Sequence, residues 1–172
     1  IIDTESKHSG YLTNGVLEIK GDLKQVGNSA GYGNYSRYNF NTSENHKVIF
    51  SGNSSQEISF DSKKSGFTLV DFINDDIIFS TVTRSAKLVN DASLSNSINY
   101  GFSESLDMNN NELIINGDFL QKEEGLINVN GGTLTINGDF IHEAGQLELE
   151  KGQLNVKGDY RLQVKEIVDD VI

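Results

Sequence analysis

The sequence predicts an all-β fold, a right-handed parallel β-helix or β-solenoid, with rungs of about 20 residues and three strands each. Three observations lead there. One motif recurs, as Leu113-Ile114-Ile115-Asn116-Gly117-Asp118-Phe119, Leu134-Thr135-Ile136-Asn137-Gly138-Asp139-Phe140 and Leu154-Asn155-Val156-Lys157-Gly158-Asp159-Tyr160, with Gly-Asp steps 21 and then 20 residues apart. In these copies aliphatic residues tend to alternate with Thr, Asn or Lys, the period of a half-buried strand. Gly125, Gly132, Gly145 and Gly152 are separated by seven, thirteen and seven residues, which divides each unit into about three short strands. An antiparallel β-sandwich is the alternative, because Asn-Gly at 116–117 and 137–138 is also a strong hairpin signal. Hairpins, however, have no reason to hold the Gly-Asp-aromatic step in register.

The chain of 172 residues reads as a single domain, 1–172, and its start at Ile1-Ile2-Asp3 rather than Met suggests a fragment of something longer. A fourth motif copy, Leu17-Glu18-Ile19-Lys20-Gly21-Asp22-Leu23, opens the coil behind Asn14-Gly15. Residues 26–44, rich in Gly, Asn, Ser and Tyr and without apolar alternation, are expected to protrude as a loop. Val48-Ile49-Phe50 and Ile58-Ser59-Phe60 flank a Gly-Asn-Ser turn, and residues 66–81 supply two more apolar strands, so the middle reads as rungs with different corners. In the regular part, Leu113, Leu134 and Leu154 should form one column and Phe119, Phe140 and Tyr160 another. The last stretch, 162–172, reads as a strand or as a short amphipathic helix with Val164, Ile167, Val168 and Val171 on one face, capping the open end. With 17 Gly and no Pro, the corners must be made by Gly, Asn and Asp.

Composition narrows function mostly by exclusion. Lys and Arg number 14 against 25 Asp and Glu, a formal net charge of −11, so nucleic acid and anionic membrane surfaces are repelled. No cysteine is present, which removes disulfides and thiol chemistry. No apolar run approaches the roughly 18 residues of a membrane helix. No phosphate loop of the G-x-x-x-x-G-K-[ST] type occurs, and His8, His46 and His142 are scattered without ligand spacing. The expectation is a protein without catalysis, cofactor or metal.

Three groups of residues still carry candidate chemistry. If Asp118, Asp139 and Asp159 stack, their carboxylates lie about 5 Å apart and repel by about 1 kcal/mol per pair in water. Backbone N–H groups of each Asp's own turn would relieve that; calcium between rungs is the weaker alternative. Tyr32, Tyr35, Arg37 and Tyr38 in the loop could stack on sugar rings, as a carbohydrate-binding module does. Asn74-Asp75-Asp76 with Arg84 is what a polysaccharide-degrading, pectate-lyase-like β-helix enzyme would use, against which stands the placement of the acidic pair Asp169-Asp170 in the tail.

Residues 9–25 (SGYLTNGVLEIKGDLKQ), 45–62 (NHKVIFSGNSSQEISFDS) and the LxIxGDF copies resemble repeat regions of large secreted or surface proteins of Gram-positive bacteria. There, an element similar to GxLxIKGDFxQ precedes one similar to HKVxxSGxxxQxxSF. The resemblance spans about two thirds of the chain and its motifs are structural positions. It implies an extracellular or cell-surface β-solenoid with a structural or adhesin-like role. It says little about a ligand; the expected partners are neighbouring domains of the same chain and a cell-surface polysaccharide or host surface, while charge and hydropathy argue against nucleic acid and membrane insertion.

Overall fold

Alternation of aliphatic and polar residues becomes short parallel strands in the computed structural model, which describes residues 2–3, 11–26, 40–61 and 65–163. The described residues contain no helix. The chain opens with β1 (Ile2–Asp3), β2 (Val16–Ile19), β3 (Leu23–Val26), β4 (Lys47–Phe50), β5 (Gln56–Phe60), β6 (Leu69–Phe72) and β7 (Ile77–Phe79). It continues through β8 (Thr83–Lys87), β9 (Ala92–Leu94), β10 (Phe102–Asp107), β11 (Glu112–Ile115) and β12 (Phe119–Gln121). It closes with β13 (Leu126–Asn128), β14 (Thr133–Ile136), β15 (Phe140–His142), β16 (Gln146–Glu148), β17 (Gln153–Val156) and β18 (Tyr160–Leu162).

All strand pairs are parallel, and each strand pairs with one from a neighbouring turn. In the second half the chain visits three walls in rotation: β8-β10-β13-β16, β9-β11-β14-β17 and β12-β15-β18. In the first half β2-β4-β6 and β1-β3-β5-β7 form two of the walls. Among the described residues the third is represented by the bridge Asn41↔Gly66 and continues into β8 through Arg84 N–H to Ser65 O at 3.0 Å and Phe67 N–H to Ser85 O at 2.9 Å. This is a β-solenoid with three strands per rung. The sandwich is excluded by the parallel pairing, for a reason visible at the corners: a two-residue hairpin needs left-handed backbone. Asn116-Gly117 and Asn137-Gly138 are not left-handed; Asn109, Asn110, Asn130, Gly131 and Lys151 are, at a different corner of the rung.

Leu113 pairs with Leu134 and Leu134 with Leu154, and Phe119, Phe140 and Tyr160 form the second expected column. The alternating aliphatics point inward: Val48, Phe50, Leu113, Ile115, Leu134 and Ile136 are all buried. Each such side chain contributes about 1.5–3 kcal/mol through the apolar surface it removes from water. An aromatic spine runs through the middle, from Phe50 against Phe72 to Phe119 and Phe140, whose centroids are 5.2 Å apart at an interplanar angle of 14°.

The irregular first half keeps register despite its spacing. Leu113 sits 21 residues from its partner Ala92, whereas Leu17 sits 31 from Val48, so the connection between β3 and β4 is about ten residues longer. Part of the predicted loop belongs to the wall: Phe40 is buried against Phe60 and Phe67, and Thr42 accepts the Thr68 N–H at 2.7 Å. The expected capping segment beyond Gln163 lies outside the described residues.

Candidate functional site

The repeated Asp sits at the corner that leads into the wall of β12, β15 and β18. Its carboxylate links rungs. Asp118 Oδ1 accepts the N–H of Asp139 at 2.8 Å, and Asp139 Oδ1 accepts the N–H of Asp159 at 2.9 Å. The same geometry begins with Ser97, whose Oγ accepts the Asp118 N–H, and appears near the start, where Asp22 Oδ1 accepts the Glu57 N–H. The donors therefore come from the next rung, not from the Asp's own turn as expected, because the parallel stack places each N–H directly above the previous carboxylate. The glycine of the motif follows from this contact: a methyl group on Gly138 would collide with Asp118 Oδ1.

Charge in the column is offset by Arg161, which lies 3.2 Å from Asp139 and 3.0 Å from Asp159. The hydrogen bond to Asp159, and then the charge of Asp139, hold the guanidinium pKa above its ordinary value. Among the described residues no three His, Asp or Glu side chains converge to hold a metal ion, so the calcium alternative for Asp118, Asp139 and Asp159 gains no geometric support.

Two open clefts mark the outer walls. One, of about 450 Å³, lies where the ladder is interrupted between β6 and β9, and its lining includes Asp71, Asp75, Asp91 and Glu112 with exposed Ile73. Several of these carboxylates have structural partners: Asp71 accepts from Asn90 at 2.6 Å, Asp75 from Ser95 at 3.2 Å, and Asp91 from the Glu112 N–H at 2.7 Å. The other, of about 520 Å³, crosses β8 and β10. There Arg84 pairs with Glu104 at 2.8 Å and donates to Asn41 at 2.9 Å, while Lys87 pairs with Asp107 at 3.5 Å.

The residues grouped as a possible lyase site are not brought together. Arg84 is engaged on β8, whereas Asn74, Asp75 and Asp76 form the corner between β6 and β7. That corner is bonded to itself and to its neighbours: Asn74 donates to Ser54 O and Gln56 Oε1, accepts the Asp76 N–H, and Asp76 accepts from Asn96. Asp169 and Asp170 lie outside the described residues, as do His8 and the sugar-stacking candidates Tyr32, Tyr35, Arg37 and Tyr38. His46 and His142 are core residues. His46 donates from Nδ1 to Lys47 O at 3.2 Å, and burial lowers its pKa. His142 stacks on Phe140 with centroids 5.5 Å apart.

Buried glutamines were missed in the sequence, although a Gln stands in both resembling elements. Gln56 accepts the Gly52 N–H at 2.8 Å and donates to Ile19 O and Gly21 O, bolting one rung's corner to the previous one. Gln121 does the same for Phe102, accepting its N–H and donating to its carbonyl. No family model, curated protein or solved structure matches the chain.

Proposed function

We propose that this chain is a non-catalytic, rigid β-solenoid segment of an extracellular or surface protein of a Gram-positive bacterium, acting as a spacer or adhesin-like scaffold. The observation that carries the reading is the employment of the motif's polar groups. Asp118 and Asp139 serve the next rung's backbone, and Gln56 and Gln121 bolt corners. Arg84 is held by Glu104 and Asn41. A side chain committed to the stack is poorly placed to act on a substrate. The resemblance of GxLxIKGDFxQ and HKVxxSGxxxQxxSF to surface-protein repeats supplies the setting.

The test is a panel of polysaccharides that includes polygalacturonate, read for binding and for cleavage, with and without millimolar calcium. The expected result is neither. Binding that is lost on changing Tyr32, Tyr35 and Tyr38 together to Ala would replace the scaffold with a carbohydrate-binding module. Release of unsaturated sugar would replace it with an enzyme.

A further inference from the structure

We propose that the solenoid is divided into two separately cooperative units, one ending with β8 and the other beginning with β9, so that one unit can unfold while the other stays folded. The boundary is a breaking point inside the rod, a property beyond the scaffold role itself. In the regular part, neighbouring rungs are joined in all three walls, β11 with β14, β12 with β15 and β10 with β13. Between the rung of β6, β7 and β8 and the rung of β9 and β10, one wall keeps its ladder. There β8 pairs with β10, with a bulge between Phe102 and Ser105. No strand pair joins β6 to β9 among the described residues; the bridge Val70↔Leu88 and the bond from Val89 N–H to Val70 O at 3.0 Å lie ahead of the gap. Beside β7 the next rung offers Ile98, which bridges onward to Phe119 and not back to β7.

Side chains span what the two ladders leave open. Asn90 donates to Asp71 at 2.6 Å, Ser95 to Asp75 at 3.2 Å, and Asn96 to Asp76 at 2.8 Å and to Ile77 O at 3.1 Å. One backbone bond, Ser95 N–H to Asp75 O at 2.7 Å, stands among them. Water competes for such part-buried or exposed bonds, so they hold less than the ladders they replace. The cleft of about 450 Å³ opens at this boundary, with Asp71 and Asp75 from one unit, Asp91 and Glu112 from the other and no Lys or Arg in its lining, so like charges line both of its sides. Ala92 also removes less apolar surface from water than Leu113 and Leu134 further along its column. Phe79 meets Phe102 across the boundary with centroids 6.1 Å apart, which keeps the two units docked in the native state. In a stack whose stability sums rung terms and neighbour interfaces, cooperativity divides at the weakest interface.

Native-state hydrogen exchange of the full chain, followed by mass spectrometry across a urea series, tests this. Peptides from β4 to β7 are expected to open together at one urea concentration and peptides from β11 to β16 at another, with the step falling between Phe79 and Ala92. Asn90→Ala with Asn96→Ala removes two of the bridging donors and should raise the fraction of chains with one unit open about tenfold, without moving the step of the more stable unit. Asn96→Ala alone, which leaves the buried Asp71 paired with Asn90, should give a smaller rise in the same direction. A single transition shared by both sets of peptides, a step elsewhere in the chain, or variants that shift both units equally would each overturn the proposal.

Discussion

Gly138 and Gly21 occupy equivalent motif positions in different surroundings, and that difference can be measured. Gly138→Ala drives a methyl group into Asp118 and should cost about 1–3 kcal/mol by overpacking, whereas Gly21→Ala meets nothing and should leave the urea midpoint near that of the wild type. His46 gives a second residue-scale prediction. Its buried imidazole has a lowered pKa, so in the window just below the unfolded value of about 6.5 the unfolded chain binds the proton and the folded one does not. The stability associated with neutral His46 is therefore complete above that value and is lost as pH falls through it. Denaturation at pH 7.5 and 5.5 should show a drop that is smaller in His46→Gln. The sequence announced that the repeated Asp matters, through its spacing, but not which N–H it serves. A donor one residue away and a donor one rung away leave the same letters, and only the parallel stack distinguishes them.

Columns rather than strands are the units that hold this fold. Phe140 lies between Phe119 and Tyr160, with centroids 5.2 Å from each, and also faces His142. Phe140→Ala should cost about 3–5 kcal/mol. Combined with Phe119→Ala it should depart from additivity, because the two rings share a contact; chemical denaturation of the double-mutant cycle checks both points. These columns were legible because identical residue classes recur at 20–21 residues, so register could be read without knowing any corner. The third wall of the first half was not legible. Its inward residues, Phe40 and Phe67, stand among Asn, Thr, Ser and Gly, and nothing local separates such a wall from a loop.

At the scale of the whole molecule, strand pairing among the described residues runs between neighbouring rungs, so stability should grade along the axis. Amide hydrogen exchange should be slowest in β11 and β14, which are paired on both sides, and faster in β17 and β18, which among the described residues are paired on one side. An all-or-none exchange pattern with equal protection in β14 and β17 would contradict this. The solenoid class was readable from period and alternation alone, while the acidic cleft between β6 and β9 was not, since it arises from a break in one ladder rather than from a motif. The 31-residue spacing between Leu17 and Val48 has a practical consequence. A longer loop adds only a logarithmic closure cost, and here surplus length leaves the pairing on either side undisturbed. The connection between β3 and β4 is a natural port for cargo: a foreign epitope or peptide ligand grafted there would ride on a scaffold whose folding instructions lie elsewhere.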